Sequence, residues 1–307
     1  MKKVALLFSG QGSQYIGMGE DLYQSSPIIQ KMYADASSIL GYNLTEVCFQ
    51  ANELINQTKY TQPAIVTTSC AMYQAFKDKF NLKPVVMAGF SLGEYSAFYA
   101  SGIFNFNEVI SLIKVRSEAM NEASLSSKGK MAAILGMNRT DLEALCEEIK
   151  NVWIANYNCP GQLVVGGLEE SVNTLCEQAK AKGAKRAIVL NVSGAFHTPL
   201  MAEAANKLYE KALAIPHHPM QVDVIMNCNA QALDSNILPE LMKKQVMSSV
   251  YFEDTIRKMI TDYQVETFIE IGPGNVLTGL VKKIDSTKKT INLDKYADLM
   301  NLTMEDI

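Results

Sequence analysis

Three short apolar runs, each followed by a turn rich in small residues, constrain the fold most strongly. They occupy residues 3–8, 84–90 and 267–271. The first two lead into longer stretches with a helical repeat of apolar residues, which is typical of buried strands that alternate with helices. This alternation predicts an α/β fold in which a parallel sheet is flanked by helices.

The order of predicted elements changes between residues 128 and 192. Strands are predicted at 131–135, 152–157, 162–165 and 185–192, and helices at 140–150 and 169–182. A capping box at Thr140 and Glu143 is expected to begin the first helix, and Gly183 to end the second. The order βαββαβ predicts a ferredoxin-like small subdomain at 128–192, inserted into a large domain made of residues 1–127 and 193–307. The sequence after residue 285 is polar, and no role can be assigned to it.

Composition narrows the classes of function. The net charge is −4, with no basic cluster, so no nucleic-acid partner is expected. No apolar run approaches the length of a membrane span, and the run after Met1 is too short for a secretory signal. The cysteines are scattered without a metal-ligand spacing, which predicts reduced thiols in a cytoplasmic protein. They are Cys48, Cys70, Cys146, Cys159, Cys176 and Cys228.

Ser91 is the strongest candidate nucleophile. It lies in Gly-Phe-Ser-Leu-Gly at residues 89–93, between a predicted strand and a predicted helix, which is the setting of a nucleophile elbow. The flanking glycines permit the sharp turn, and the Leu92 N–H at the helix start can face a developing oxyanion. The alternative is a serine that only caps the helix. Glu94, in the first helical turn, is expected to interact with the helix dipole.

A serine hydroxyl needs a neighbouring base to become a good nucleophile. The chain has three histidines, and His197 lies at a predicted strand-to-helix junction from which a side chain can reach a cleft. His217 and His218 lie between two prolines in a predicted surface loop. A lone histidine is more often structural than catalytic, but a single well-placed candidate beside a strong nucleophile favours His197 as the general base.

Two further features have competing interpretations. The Gly-Gln-Gly-Ser-Gln turn at residues 10–14 lacks the last glycine of a dinucleotide loop, because Tyr15 stands in that position. It can be a plain tight turn, or it can offer the Gln11 N–H to an oxyanion. Arg116 has the spacing of a surface ion pair with Glu118 or Glu122. Alternatively, its guanidinium can bind a substrate carboxylate through two parallel hydrogen bonds.

These motifs occur in an order that resembles malonyl-CoA:acyl-carrier-protein transacylases and the acyltransferase domains of polyketide synthases. The resemblance extends from residue 4 to about residue 281, and its motifs lie at residues 8–14, 60–64, 89–94, 116, 156–162, 194–197 and 270–274. The family's fold, a hydrolase-like α/β domain with a ferredoxin-like insert, agrees with the predicted elements.

The resemblance implies a role for each matching residue. Ser91 would be acylated, with His197 as general base, and the N–H groups of Gln11 and Leu92 would form the oxyanion hole. Arg116 would bind the malonyl carboxylate, and the main-chain carbonyl of Gln245 would orient the histidine. The implied reaction is ping-pong transfer of a malonyl group from coenzyme A to the phosphopantetheine thiol of an acyl carrier protein, without a metal or redox cofactor. The carrier can serve fatty-acid or polyketide synthesis.

Phe90 departs from the family pattern, which commonly has histidine before the nucleophile. This residue is expected beside the acyl pocket, so it bears on the choice of acyl group. Phe196, before the histidine, is similar to the malonyl-selecting pattern, and we therefore favour malonyl over methylmalonyl. The rival functions are a serine esterase or thioesterase built on the same elbow, and a non-catalytic module that docks a carrier protein.

Overall fold

The computed structural model describes residues 2–307 and contains, within that range, a large mainly parallel sheet. Its spatial order is β10-β9-β1-β2-β7-β8, and every pairing is parallel except that of β8 with β7. The strands are β1 (Val4–Phe8), β2 (Val86–Gly89), β7 (Val224–Met226), β8 (Gln231–Ala232), β9 (Thr267–Ile271) and β10 (Lys289–Leu293). Phe8 is in register with both Gly89 and Ile271, so these strands end side by side at one edge.

Helices cover both faces of this sheet. In β1, Leu6 and Phe8 belong to one apolar cluster while Ala5 and Leu7 belong to the other, as expected for a strand buried on both faces. The helices outside the second sheet are α1 (Glu20–Ser25), α2 (Pro27–Leu40), α3 (Leu44–Phe49), α4 (Thr58–Lys79), α5 (Gly93–Ser101), α6 (Phe106–Ser127), α9 (Ala202–Leu213), α10 (Leu238–Met247), α11 (Phe252–Thr261), α12 (Val276–Ile284) and α13 (Tyr296–Asn301). None of the helices within residues 2–307 is long and apolar enough to cross a membrane.

A second, antiparallel sheet has the order β4-β5-β3-β6. Its elements are β3 (Gly129–Leu135), α7 (Arg139–Glu148), β4 (Val152–Cys159), β5 (Gln162–Leu168), α8 (Glu169–Ala181) and β6 (Arg186–Val189). The predicted fold class is therefore confirmed, including the order βαββαβ, and a separate apolar cluster joins this sheet to α7 and α8. The division of the chain at residues 128 and 192 stays a prediction, and the sheet lies within those limits.

The predicted capping box at Thr140 and Glu143 is wrong. The helix begins one residue earlier, with Asn138 as N-cap, and the Asn138 side chain accepts a hydrogen bond from the Asp141 N–H. Asparagine caps helices at least as well as threonine, so the earlier residue takes this position and Thr140 lies inside the helix. The helix predicted to follow the His197 junction does not begin at once, since a 3₁₀ turn (Pro199–Met201) precedes α9.

The polar C-terminal sequence completes the large sheet. Strand β10 pairs with β9 at the sheet edge, and Leu293 and Ile307 are buried. The Lys79 ammonium, at the end of α4, donates to the main-chain carbonyls of Leu299, Met300 and Leu302 at 2.8, 2.7 and 2.9 Å. These bonds satisfy carbonyls at the end of α13 and connect the C-terminal residues to the body of the protein.

We expect Lys79→Met to lower the free energy of unfolding by about 1 kcal/mol, because three carbonyls at the end of α13 lose a charged donor. Urea denaturation followed by circular dichroism measures the change. Lys77→Met, at an exposed position in the same helical turn, is the matched control. Equal stabilities of the two variants would contradict this role for Lys79.

Candidate active site

Ser91 lies in the sharp turn between β2 and α5. Its φ angle is 51°, in the left-handed region that residues other than glycine rarely adopt. The turn is also tightly packed: a Cβ atom at Gly89 would lie 1.9 Å from the Gly93 carbonyl carbon, and one at Gly93 would lie 2.1 Å from the Phe8 carbonyl oxygen. Glycine is therefore required on both sides, and the turn holds Ser91 at the edge where β1 and β2 end.

His197 meets Ser91 across 106 residues of sequence. The His197 Nε2 atom lies 2.6 Å from the Ser91 Oγ, and the Nδ1 atom lies 2.9 Å from the main-chain oxygen of Gln245. A carbonyl oxygen can only accept, so Nδ1 carries the proton and Nε2 is left to accept the serine proton. His217 and His218 are exposed in the loop before β7.

The environment of His197 keeps its ring neutral. The side chain is buried, and burial, reinforced by the nearby Arg116 guanidinium, lowers the pKa of His197 from 6.5 to about 4. The imidazole is therefore in its proton-accepting form at neutral pH.

Arg116 is buried on α6, with 1% of its surface exposed, so the predicted surface ion pair with Glu118 or Glu122 is wrong. Glu122 instead pairs with Lys207. The Arg116 Nη2 donates to the Ser91 Oγ at 3.3 Å and to the Gln245 Oε1 at 3.4 Å. The guanidinium carbon lies 5.4 Å from the centre of the Tyr95 ring, a cation–π contact.

No carboxylate within residues 2–307 forms an ion pair with Arg116, and its Nε has no hydrogen-bond partner among these residues. Burial lowers the pKa of this arginine, as it must for a cation removed from water, yet the guanidinium stays protonated. The site thus contains a buried positive charge with unused donors next to the Ser91 hydroxyl.

The two predicted oxyanion donors come from two different turns. Gln11 is in the turn after β1, and Leu92 immediately precedes α5. Neither main-chain N–H has an acceptor among the residues that the structure describes. The Gln11 side chain is held by Thr58 at 3.2 Å and by Gln62 at 3.4 Å, so the loop is fixed without using the N–H. Both amides are therefore available to a ligand, and their part in an oxyanion hole stays a prediction.

Asn227 is a component of the site that sequence reasoning missed. Its Oδ1 accepts from the Ser91 N–H at 2.6 Å and its Nδ2 donates to the Gly89 carbonyl at 2.9 Å. Its own main-chain N–H donates to the buried Glu94 carboxyl group, whose pKa burial raises to about 8. Asn227 directly follows the apolar run of β7, so its position at the end of a strand was the available signal. Glu94 thus bonds to this asparagine in addition to lying near a helix start.

The two phenylalanines belong to different apolar clusters. Phe90 is half-buried and packs edge-on against Phe252, with 5.2 Å between the ring centres. Phe196 is buried in the apolar cluster that contains Leu6 and Phe8. The placement of Phe90 beside an acyl pocket stays a prediction.

A strained elbow serine bonded to a neutral histidine, on a hydrolase-like α/β fold, defines an enzyme of the serine nucleophile class that acts on acyl groups. The chain belongs to the acyl transferase family, whose domain matches residues 5–299. The family resemblance predicted from the motifs is thereby confirmed.

Curated and solved relatives cover almost the whole chain. The malonyl CoA-acyl carrier protein transacylase of Bacillus subtilis (strain 168) is 43% identical over 95% of this chain and 93% of its own length. That of Staphylococcus aureus (strain MRSA252) is 35% identical over 100% of both. Among solved structures, the Streptococcus pneumoniae enzyme has a TM-score of 0.92 at 39% identity, with 97% of this chain and 98% of that one covered. A malonyl-transacylase in complex with its type II PKS acyl-carrier protein has a TM-score of 0.93 at 36% identity, with 97% and 98% covered.

The lowered pKa of His197 predicts the pH dependence of Ser91 reactivity. Protonation removes the accepting Nε2, so reactivity should be retained as the pH falls through 6.5 and be half lost only near pH 4. The rate of Ser91 labelling by a fluorophosphonate measures this, because the probe has no titrating group. Circular dichroism at each pH separates titration from unfolding, and a midpoint near 6.5 in folded protein would contradict the prediction.

Proposed function

We propose that the protein is a malonyl-CoA:acyl carrier protein transacylase that uses a Ser91 acyl-enzyme. One observation carries the proposal: the same Ser91 Oγ that bonds to His197 also accepts a hydrogen bond from the buried, unpaired Arg116 guanidinium. This contact supports a role for Arg116 in binding the free carboxylate of a malonyl ester on Ser91. The names of the relatives support the same donor and acceptor.

The first half-reaction forms the acyl-enzyme. As the Ser91 Oγ attacks the thioester carbonyl of malonyl-CoA, His197 Nε2 takes the hydroxyl proton, and the Gln11 and Leu92 N–H groups bind the oxyanion. The tetrahedral intermediate then breaks its carbon–sulfur bond, and the coenzyme A thiolate leaves with the proton from His197. The Gln245 carbonyl keeps the histidine proton on Nδ1 throughout, so that Nε2 alone exchanges with substrate.

The second half-reaction reverses these steps with a different thiol. The phosphopantetheine thiol of the carrier gives its proton to His197 and attacks the malonyl ester, and the proton returns to the Ser91 Oγ as the carbon–oxygen bond breaks. An esterase would use water at this stage. Both half-reactions exchange an acyl group between the Ser91 hydroxyl and a thiol. The same Ser91–His197 dyad can therefore catalyse both.

The positive charge of the buried Arg116 favours an acyl group that carries a free carboxylate. Glu94 is a carboxyl group close enough to affect the pKa of Arg116, and its own pKa of about 8 leaves it mostly protonated at neutral pH. The guanidinium charge is therefore not cancelled within the protein, and an acyl carboxylate would neutralise it in a site of low dielectric. A neutral acetyl group would leave that charge unpaired.

We also propose that the protein acts in the cytoplasm. All six cysteines, which lie within residues 2–307, are free thiols, and five of them are buried. Reduced thiols are the usual state of cysteine in that compartment.

A test of the acyl-enzyme is intact-mass spectrometry after mixing with malonyl-CoA. We expect the mass of the protein to rise by one malonyl group, and addition of carrier protein to remove that increment. Ser91→Ala should gain nothing, whereas Ser126→Ala, at an exposed serine, should behave like the wild type. An adduct on Ser91→Ala would refute Ser91 as the acceptor, and loss of the adduct to water as fast as to carrier would favour the esterase alternative.

A second test addresses the carboxylate site. Arg116→Ala should reduce kcat/KM for malonyl transfer by about 100-fold, since the loss of a charge-assisted pair costs about 3 kcal/mol. Acetyl transfer should fall far less, because that group has no carboxylate. Assays at about pH 7 keep Glu94 mostly protonated and His197 mostly neutral. Arg257→Ala, which removes an exposed arginine, is the control, and equal losses for the two acyl groups would exclude Arg116 as the carboxylate site.

A further inference from the structure

Gln245 makes three hydrogen bonds in the site, and only one of them comes from its main chain. The carbonyl oxygen accepts from His197 Nδ1. The side-chain Nε2 donates to the Ser91 carbonyl oxygen at 2.9 Å, and the side-chain Oε1 accepts from the Arg116 Nη2. Any residue at this position would provide the first bond. The other two require an amide of this length.

The amide connects two groups that must keep a fixed distance. Its Nε2 is bonded to the carbonyl of the nucleophile itself, and its Oε1 is bonded to the guanidinium whose other acceptor is the Ser91 hydroxyl. Gln245 is 1% exposed, so water does not compete effectively for either bond. The planar amide therefore fixes the orientation of Arg116 relative to the nucleophile.

The neutrality of this acceptor matters as much as its position. A carboxylate in the same place would pair with the buried guanidinium and cancel its charge. An apolar side chain would leave the Nη2 donor with one acceptor fewer in a buried site. Among residues of this length, glutamine orients the cation while leaving its charge for a ligand.

We propose that the Gln245 side chain is a positioning residue for acyl selectivity: it holds the Arg116 guanidinium in register with Ser91 without neutralising it, and so favours acyl groups that carry a carboxylate. This inference rests on the proposed malonyl transfer. It assigns to the side chain a role separate from the orientation of His197 by the main chain.

Gln245→Met and Gln245→Glu test the inference, because both retain the main-chain carbonyl and the length of the side chain. The measured quantity is the ratio of kcat/KM for malonyl transfer to that for acetyl transfer, with the same carrier protein. We expect the ratio to fall about tenfold in Gln245→Met, through the loss of an acceptor for a charged donor. It should fall about 100-fold in Gln245→Glu, where the new carboxylate pairs with Arg116 in place of the substrate.

Two controls separate this role from a structural one. Gln30→Met and Gln30→Glu make the same substitutions at an exposed helical position and should keep the wild-type ratio. A ratio of two rates from one preparation does not depend on how much of a variant folds, so partial unfolding does not mimic the effect. Labelling of Ser91 by a fluorophosphonate reports the Ser91–His197 pair without an acyl carboxylate and should change less than the ratio.

The possible outcomes distinguish failure of the proposed function from failure of the inference about Gln245. If wild-type protein transfers malonyl no better than acetyl, the proposed function fails. If wild-type protein prefers malonyl but both Gln245 variants keep its ratio, the inference about Gln245 is overturned while the function stands. A ratio that falls in both variants, and further in Gln245→Glu, supports it.

Discussion

The left-handed conformation of Ser91 is the constraint on which the rest of the site depends. At a φ of 51° the serine costs backbone energy that the surroundings must offset. Two glycines let the turn press against the end of β1, and Asn227 accepts from the Ser91 N–H while donating to the Gly89 carbonyl. The ends of β1, β2 and β7 therefore together fix the position of Ser91. The neighbouring N–H of Leu92 has no acceptor among residues 2–307.

Electrostatics then determines which chemistry this rigid turn supports. Burial lowers the pKa of His197 and keeps the base neutral, and the nearby Arg116, which lies against the serine hydroxyl, adds to this effect. Its partners are an aromatic ring, a hydroxyl and an amide oxygen, all of them uncharged. Such a cation is poorly compensated when the site is empty and well compensated when an anion enters.

Local patterns in the sequence are sufficient to predict the elbow, the strands β1, β2 and β9, and the order of strands and helices along residues 128–192. Each of these features is determined by residues that are close together in the chain, such as an apolar run, a glycine or a turn. The burial of Arg116 was not predictable this way, because the acids near it in sequence gave an equally good surface pairing. Asn227 and β10 were missed for a related reason. The role of Asn227 depends on a partner 136 residues away, and β10 is a polar edge strand that only its neighbour β9 identifies.

The second sheet helps to hold the histidine as well as extending the fold. A Cβ atom at Gly129, the first residue of β3, would lie 2.7 Å from the Ala195 nitrogen, and one at Gly166 in β5 would lie 3.0 Å from the Thr198 side chain. These close approaches fix the segment on both sides of His197, whose own φ is 59°. Just after Gln245, Val250 exchanges main-chain hydrogen bonds with Ala155 and Tyr157 of β4. The residues that carry the base and its carbonyl acceptor are therefore both attached to this sheet, whereas Ser91 belongs to the large sheet. The 2.6 Å contact between Ser91 and His197 depends on how the two sheets are held together.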